Sequence, residues 1–360
     1  MAKRKIQKPT RFERMYKVWD YLRKNTDRRH PTSIAKMRKD ENINAYIGDK
    51  ETINRLLKDM ANIMNLEDGG SDYKPEAEWR LYFEKEVDSI IEGIMATRTL
   101  DSKSAQELVR KVEDNMTTAF YKRTPRHICK VQEPELADRE LLKDNLAIIQ
   151  KAIDDNVRIQ FRFNGYSYEK KLEPVRAEMD ELSPYYIVAS GGKYYLLAAK
   201  EYEGYKPNMS IWRIDLMTDI EIPGRNDRLH IKGIPRIPKK NVSNLPEKWS
   251  EDFQLKHLNM SFDKPVFVTL RIKSEKCEDN PKKRVRPGYT FLHDWFGDSF
   301  TYIRTETKPP YDDIVRVECS PYGMAHWALQ YSELVEVLEP ESLREDIKSK
   351  IKALNEKYSL

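Results

Sequence analysis

The stretch YYIVASGGKYYLLAAK, residues 185–200, restricts the fold of this chain more than any other segment. Its two successive glycines favour a two-residue hairpin turn in which both residues take positive φ. That turn predicts three cross-strand pairs: Ser190 with Lys193, Val188 with Tyr195, and Tyr186 with Leu197. Because successive side chains point to opposite faces and both faces are largely apolar, we expect the hairpin to be covered on both sides, as in a small β-barrel.

Further strand patterns flank this hairpin. Residues 157–163 alternate apolar and polar side chains, and the dipeptide Asn164-Gly165 after them predicts another hairpin turn. Residues 209–222, MSIWRIDLMTDIEI, form a later strand pattern that holds Arg213 among apolar neighbours. An amphipathic helix over residues 140–156 precedes these strands. The middle of the chain is therefore a β-rich domain with one helix.

The N-terminal region is basic. Its first 60 residues contain 17 Lys and Arg but 8 Asp and Glu, a charge of +9 in a chain whose total is +5. Such a distribution favours a polyanionic partner for this region, although a solvated basic tail is the alternative.

This basic region has the pattern of three short helices. The first spans residues 11–24 with apolar side chains at Phe12, Tyr16, Trp19 and Leu22; the second follows Pro31; the third spans residues 42–64 and includes Asp49 as an N-cap. A helix-turn-helix places its last helix in the major groove, where Arg and Asn contact base edges and Lys neutralises phosphate. The residues that we expect to contact DNA are Lys50, Thr52, Asn54, Arg55 and Lys58. An ordinary helical bundle with a solvated polar face is the alternative.

The rest of the chain divides by composition and pattern. Residues 84–135 contain two amphipathic helices, which transmit a signal, dimerise or act as a passive spacer. Residues 231–258 are rich in proline and predict a linker. Residues 259–360 contain strands, a helix that Ser320 caps, a further strand and a closing helix with Leu343, Ile347, Ile351 and Leu354 facing inward. This order predicts a small α+β domain, and the whole chain a multidomain α+β fold.

Enzyme signatures are missing from the sequence. None of the six histidines stands in a zincin pattern, and we find no glycine-rich phosphate loop and no nucleophile elbow. The three cysteines lie far apart, which argues against a disulfide framework and fits a reducing compartment. We therefore expect no enzymatic activity, no cofactor and no metal. Since no apolar stretch approaches membrane-spanning length and no apolar core follows the basic N-terminus, we expect no membrane association and a cytoplasmic protein.

The segment TINRLLKDM, residues 52–60, resembles the recognition helix of winged-helix bacterial regulators. Thr52, Ile53, Arg55 and Leu57 match the family pattern, whereas Leu56 replaces the usual Asp and Met60 the usual Leu. The resemblance implies that residues 1–83 are a winged helix-turn-helix domain. Turn residues at 66–83 then mark the wing.

Residues 136–230 resemble the WYL domain, which is named for a Trp-Tyr-Leu triplet. The triplet reads Tyr194-Tyr195-Leu196 here, and the later motif Phe-Arg-Leu-Asp-Arg-Ile reads WRIDLM from Trp212, which keeps Arg213 and loses the second Arg. The resemblance implies an SH3-like or Sm-like barrel that binds a ligand, often a nucleotide or a nucleic-acid fragment. It assigns that ligand to Tyr195 and Arg213 and, more loosely, to Ser190. From the residues alone, the tyrosines as core and Arg213 as a structural ion-pair partner are the alternative.

The C-terminal segment from residue 317 to 347 is similar to the extension that follows many WYL domains. Together these resemblances imply a bacterial transcription regulator that binds double-stranded DNA as a homodimer. The WYL domain would sense a small-molecule, nucleotide or oligonucleotide effector. One alternative is an accessory regulator of phage defence whose WYL domain binds single-stranded nucleic acid. The other is an enzyme that acts on a nucleotide in the central pocket.

Overall fold

A computed structural model describes residues 9–26, 30–64, 66–68, 73–75, 84–98, 100–122, 139–274, 276–277, 280–284 and 288–358. The chain divides into two compact units, residues 1–136 and 137–360. The basic residues 1–8 and the connection between the units at residues 123–138 lie outside the described residues.

The first unit is mainly helical. Its elements are α1 (Arg11–Asn25), α2 (Ile34–Lys39), α3 (Glu41–Ile47), α4 (Lys50–Met64), β1 (Leu66–Asp68), β2 (Tyr73–Pro75), α5 (Glu84–Ala96) and α6 (Ser102–Met116). Strands β1 and β2 pair in antiparallel fashion directly after α4, within the segment predicted as a wing. The residues between the two strands and those at 76–83 lie outside the described part of the chain.

The helix predicted over residues 42–64 is two helices in the structure. Gly48 ends α3 with a φ of +67°, a conformation that favours glycine, and a Cβ there would lie 2.5 Å from Nη1 of Arg14. Asp49 then caps α4, because its carboxylate accepts the Thr52 N–H at 2.7 Å and the Thr52 hydroxyl at 2.8 Å. The predicted cap is therefore correct, and the predicted helix count is wrong.

The core of α1 to α4 differs in part from the predicted apolar face. Val18 and Leu22 of α1 are buried, whereas Phe12 and Tyr16 are exposed. The buried side chains are Val18, Leu22, Met37, Ile43, Ile47, Ile53, Leu56, Leu57 and Met60. Helices α5 and α6 pack through a separate cluster formed by Val87, Ile91, Val109 and Val112.

The second unit begins with a helix and a six-stranded antiparallel sheet. Its elements are α7 (Arg139–Asp155), β3 (Ile159–Tyr166), β4 (Leu172–Pro174), β5 (Asp180–Ser190), β6 (Lys193–Tyr202), β7 (Tyr205–Arg213) and β8 (Met217–Glu221). The strand order is β4-β3-β5-β6-β7, and β8 pairs with β3.

The glycine hairpin forms as predicted. Gly191 and Gly192 have φ values of +54° and +71°, as a two-residue turn with two positive φ angles requires. The three expected pairs, Ser190 with Lys193, Val188 with Tyr195 and Tyr186 with Leu197, are all present. A bulge between Pro184 and Tyr186, which the sequence pattern does not predict, bends β5.

The turn predicted at Asn164-Gly165 is wrong. Strand β3 continues through both residues, and the chain reverses at Ser167–Lys171 instead. Asn164 is buried, and its amide donates to the Leu216 carbonyl and the Thr218 hydroxyl at 3.0 Å each. These tertiary hydrogen bonds to the segment that includes β8 outweigh the local turn preference.

The C-terminal half of the second unit holds a four-stranded antiparallel sheet. Its elements are α8 (Phe253–Lys256), β9 (Val266–Ile272), β10 (Lys276–Cys277), β11 (Asn280–Arg284), α9 (Thr290–Phe296), β12 (Thr301–Thr305), β13 (Asp313–Cys319), α10 (Pro321–Gln330), β14 (Val335–Glu339) and α11 (Glu341–Tyr358). The strand order is β12-β13-β9-β14, and β10 and β11 form a separate hairpin.

This sheet packs one face against the helices, in a core that includes Val268, Leu270, Ile272, Phe296 and Trp327. The predicted cap at Ser320 is present, since its hydroxyl accepts the Gly323 N–H. The predicted inward face of α11 is correct at Leu343, which is buried, and wrong at Ile351 and Leu354, which are exposed.

Candidate nucleic-acid interface and candidate ligand site

The outward face of α4 carries the predicted DNA-binding residues. Lys50, Asn54, Arg55 and Lys58 are exposed, because the apolar side of α4 faces the core. Thr52 is half-buried and donates its hydroxyl to Asp49, so it belongs to the helix cap. The structure therefore places four of the five predicted residues on an accessible surface.

The charges on this face have few internal partners. Among the described residues, Lys50, Arg55 and Lys58 form no salt bridge, whereas Asp59 on the same helix pairs with Arg11. The carboxylate of Asp49 accepts two hydrogen bonds from Thr52, and the one from the backbone N–H is the main cause that lowers its pKa. The helix thus presents three exposed cations on its outward face.

Tyr195 and Arg213 lie directly opposite each other in the β6–β7 ladder. Ser190 stands two residues from Val188, the partner of Tyr195, so all three predicted ligand residues share one face of the sheet. On the same face, a buried cluster is formed by Val188, Leu197, Met209, Phe253 and Met260. Tyr195 packs against this cluster.

Arg213 forms a two-point ion pair with Asp215. Its Nε donates to Oδ1 at 3.0 Å and its Nη2 to Oδ2 at 2.5 Å, while Asp215 is almost fully buried. This pairing raises the pKa of the guanidinium above its usual value, against the opposing effect of burial. Arg213 therefore has the structural ion-pair role that the sequence left as an alternative, and a ligand role at this residue stays a prediction.

A corner in the chain makes this pair possible. The single strand predicted at residues 209–222 breaks after Arg213, where a 3-10 turn at Ile214–Leu216 separates β7 from β8. Asn145 of α7, which the sequence pattern did not single out, is fully buried and donates its amide to the carbonyls of Ile214 and Met217 at 3.2 and 2.8 Å. Helix α7 thereby fixes the corner that turns Asp215 back onto Arg213.

A cleft of about 750 Å³ lies along β7 away from the predicted ligand residues. Its lining includes the aromatic residues Phe163, Tyr202, Tyr205, Trp212 and Phe262 beside polar and charged side chains. Lys200, also in the lining, pairs with the buried Asp180 at 2.7 Å. Sequence analysis missed this cleft; the signal was the segment YEGY, residues 202–205, in which two tyrosines face each other across a second tight turn.

The structure shows two further properties of the described residues. No group of three or more His, Cys, Asp or Glu in them is arranged to hold a metal ion. Of the helices that the structure describes, none combines the length and apolar character needed to cross a membrane.

Comparison with known proteins gives one domain match and several structural similarities. A family model for the WCX domain matches residues 264–354. Proteasome accessory factor B/C (PafBC) of Arthrobacter aurescens is similar to 97% of this chain at 14% identity with a TM-score of 0.23, and this chain covers 49% of that protein. A CRISPR Cas-related protein is similar to 96% of this chain at 13% identity with a TM-score of 0.32, over 85% of its own length. No curated protein matches the chain.

The matched residues contain β9 to β14 and α9 to α11 up to residue 354, which is the C-terminal sheet and its helices. The WCX domain is the C-terminal domain associated with WYL domains. Residues 264–354 therefore match the WCX family model, and the resemblance of the C-terminal segment to the extension that follows WYL domains is confirmed.

Proposed function

We propose that this protein is a transcription regulator that binds double-stranded DNA through α4 and senses a ligand in its second unit. The observation that carries the proposal is the outward face of α4, where Lys50, Arg55 and Lys58 have no salt bridge among the described residues. In this proposal, residues 1–83 are a winged helix-turn-helix domain, with β1 and β2 as the wing.

The chemistry of the α4 face suits duplex DNA. A guanidinium such as that of Arg55 pairs with the O6 and N7 atoms of guanine, and the amide of Asn54 with the corresponding edge of adenine. Lys50 and Lys58 lie eight residues apart on one side of the helix, at a spacing that suits phosphates flanking a groove. Since the Asp59 carboxylate is already paired with Arg11, it adds little repulsion toward the phosphates.

The second unit supplies the sensing function in this proposal. Tyr195 and Arg213 stand together beside a corner of the chain, and the aromatic cleft along β7 adds a second surface for an organic ligand. We propose that an effector bound here changes the affinity of a homodimer for a two-fold operator, without catalysis and without a cofactor.

A paired-variant experiment tests DNA binding. Duplexes are selected from genomic fragments with the full-length protein, and affinity is measured by fluorescence anisotropy. Arg55→Ala with Lys58→Ala should weaken binding about 100-fold, because one base contact and one phosphate contact are lost. The control, Lys352→Ala with Lys357→Ala on the exposed end of α11, removes the same charge and should leave affinity unchanged. Equal affinities for both double variants at moderate salt would refute the assignment of α4.

The sensing proposal has its own test. DNA binding is measured with and without a metabolite extract for the wild type and for Arg213→Ala. We expect the variant to bind DNA and to lose the response to the extract. A variant that still responds would place the effector elsewhere, with the aromatic cleft as the next candidate.

A further inference from the structure

Strand β7 has an edge that the chain itself covers only in part. β7 ends the strand order β4-β3-β5-β6-β7, so its second edge pairs with no strand that the structure describes. At the start of this edge, the Met209 N–H donates to the Ser243 carbonyl at 2.9 Å, and the Ser243 N–H donates to the Pro207 carbonyl at 2.8 Å. Asn244 then takes a left-handed φ of 61°, and the covering segment leaves the edge there. An extended stretch of this chain therefore already adds to the first half of the edge.

The backbone of Ile211 lies on the same edge. The N–H and C=O groups of an antiparallel strand point to alternate sides with a period of two residues. The Met209 N–H points away from β6, toward Ser243, so Ile211 directs both of its backbone groups away from β6 as well. Neither group has a hydrogen-bond partner in the part of the chain that the structure describes. The second half of the edge can therefore accept another strand.

This second half also lacks the features with which proteins block strand edges. Such features are lysines, prolines, bulges and covering segments. In β7 they are confined to the first half, where Lys206 and Pro207 stand and where the β6–β7 ladder has a bulge between Lys200 and Tyr202. Residues 210–212, Ser-Ile-Trp, include no charged residue, no proline and no bulge. The open half of the edge is thus unprotected against pairing.

Two concave surfaces flank the open half, one on each face of β7. The face that carries Ile211 borders a second cavity of about 510 Å³, which Met260 and Tyr322 also line. The opposite face carries Trp212 and borders the aromatic cleft of about 750 Å³. Ile211 and Phe262 line both surfaces, so the cavity and the cleft meet at the open edge. Both volumes lie within the range of ligand-binding sites.

We propose that residues 210–212 of β7 pair with an extended peptide segment of a partner protein, which adds to the sheet as a further strand. The peptide backbone forms hydrogen bonds with the N–H and C=O of Ile211. Because successive side chains of a strand point to opposite faces, one side chain enters the cavity and the next enters the aromatic cleft. In this mode of recognition the main chain supplies affinity and the pockets supply specificity. The surface is independent of DNA binding by α4.

The aromatic cleft selects an aromatic side chain. Lys200 in its lining is paired with Asp180, and the charge of Lys206 is opposed by that of Glu203 in the same lining. The cleft therefore has little net charge with which to select an ion. Its rings instead favour another ring in an offset or edge-to-face arrangement.

The cavity suits an aliphatic side chain. Ile211, Met260 and the ring of Phe262 supply an apolar part of its lining. The Asp263 carboxylate in this lining is already bonded to the backbone N–H of Tyr322 at 2.9 Å. The expected partner segment therefore carries an aromatic residue next to an aliphatic one.

A set of blocked peptides, Ser-Thr-X-Z-Thr-Ser with every pair of residues at X and Z, tests this proposal. Binding of each fluorescently labelled peptide to the full-length protein is measured by anisotropy. We expect binding by peptides with an aromatic residue beside an aliphatic one, and no binding by peptides with charged residues at both positions. Binding by no peptide of the set would overturn the proposal.

Methylation of single peptide amides separates strand addition from binding by side chains alone. In the best binder, methylation of an amide that faces Ile211 should weaken binding at least tenfold, because it removes a hydrogen bond and leaves an acceptor unpaired. Methylation of the next amide along the peptide, which faces away from β7, should have little effect. Equal losses at successive amides would contradict the backbone pairing.

Variants of the protein locate the peptide. Phe262→Ala removes the ring that both surfaces share and should weaken binding at least tenfold. Phe267→Ala, at a ring that is 67% exposed and lines neither surface, is the matched control and should bind as the wild type does. Ile211→Pro removes the N–H of the open edge, where a sheet tolerates proline, and should also weaken binding. Unchanged binding by Phe262→Ala and Ile211→Pro would overturn the proposal. So would dissociation of a homodimer by these variants in sedimentation, which would assign the edge to a second copy of this chain.

Discussion

The cations of α4 and the cation of Arg213 lie in opposite electrostatic settings. Arg55 is exposed and has no salt bridge among the described residues, whereas Arg213 donates two hydrogen bonds to the almost fully buried carboxylate of Asp215. An exposed cation without a salt bridge in its own chain can form an ion pair with another molecule. A cation that forms two hydrogen bonds with a buried carboxylate stabilises the fold. Removing either partner leaves the other charge without compensation in a low-dielectric environment.

The role of a charged residue in a motif therefore depends on its surroundings and not on its type alone. On α4, the apolar side must face the core, so the cations at the opposite positions are exposed by geometry. At Arg213, the chain turns a corner and returns Asp215 to the guanidinium. We therefore expect that breaking the Arg213–Asp215 pair lowers the free energy of unfolding, whereas removing a cation of α4 lowers the affinity for DNA.

Removal of the partner of Arg213 should have the largest effect. Asp215→Ala leaves the guanidinium, whose side chain is 29% exposed, without its acceptor, and we expect a loss of about 3 kcal/mol in the free energy of unfolding. Urea denaturation measures this loss. The matched variant Asp59→Ala breaks the exposed pair with Arg11 and should cost less than about 1 kcal/mol. Similar costs for the two variants would remove the distinction between the regions.

Removal of Arg55 should affect DNA binding and not stability. Arg55→Ala should cost about 2 kcal/mol of binding free energy and relax the sequence preference at one base pair, because a bidentate base contact is lost. Anisotropy titrations with the selected duplex and its single-base variants measure both effects. Arg228→Ala, an exposed arginine in the second unit, is the control. A uniform loss on all duplexes would make Arg55 a phosphate contact.

Removal of Lys58 should have a smaller and less specific effect. A phosphate contact releases counterions, so Lys58→Ala should weaken all duplexes alike and lower the slope of log affinity against log salt by about 1. Titrations at four salt concentrations give that slope. An unchanged slope would indicate that Lys58 does not reach the DNA backbone.

Periodicity and local turn chemistry predicted much of this fold. The hairpin pairs at Gly191-Gly192 and the caps at Asp49 and Ser320 depend on residues near each other in sequence, and all are present. The exposed face of α4 followed from helical spacing in the same way. These features need no knowledge of distant contacts, which explains why the sequence predicts them.

Features that depend on distant contacts were missed. The amide of Asn164 bonds to residues 216 and 218 and keeps β3 straight where a turn was expected. The Arg213–Asp215 pair requires a corner that Asn145 holds from α7. Such sites form from residues far apart in the chain, and a single sequence does not reveal their proximity.

The smallest expected effect is the pH dependence of the α4 cap. Hydrogen bonds from Thr52 lower the pKa of Asp49 in the folded state, so the ionised carboxylate stabilises α4 above its ordinary pKa of 3.8. This contribution is lost as the pH falls through the lowered folded value. Asp49→Asn keeps a capping oxygen that does not titrate. The melting temperature, followed by the helical circular-dichroism signal, should therefore differ between wild type and variant by a constant amount from pH 7 to 5. Below about pH 4 the melting temperature of the wild type should fall relative to that of the variant. A constant difference down to pH 2 would mean that the cap stabilises α4 through its hydrogen-bond geometry and not through its charge.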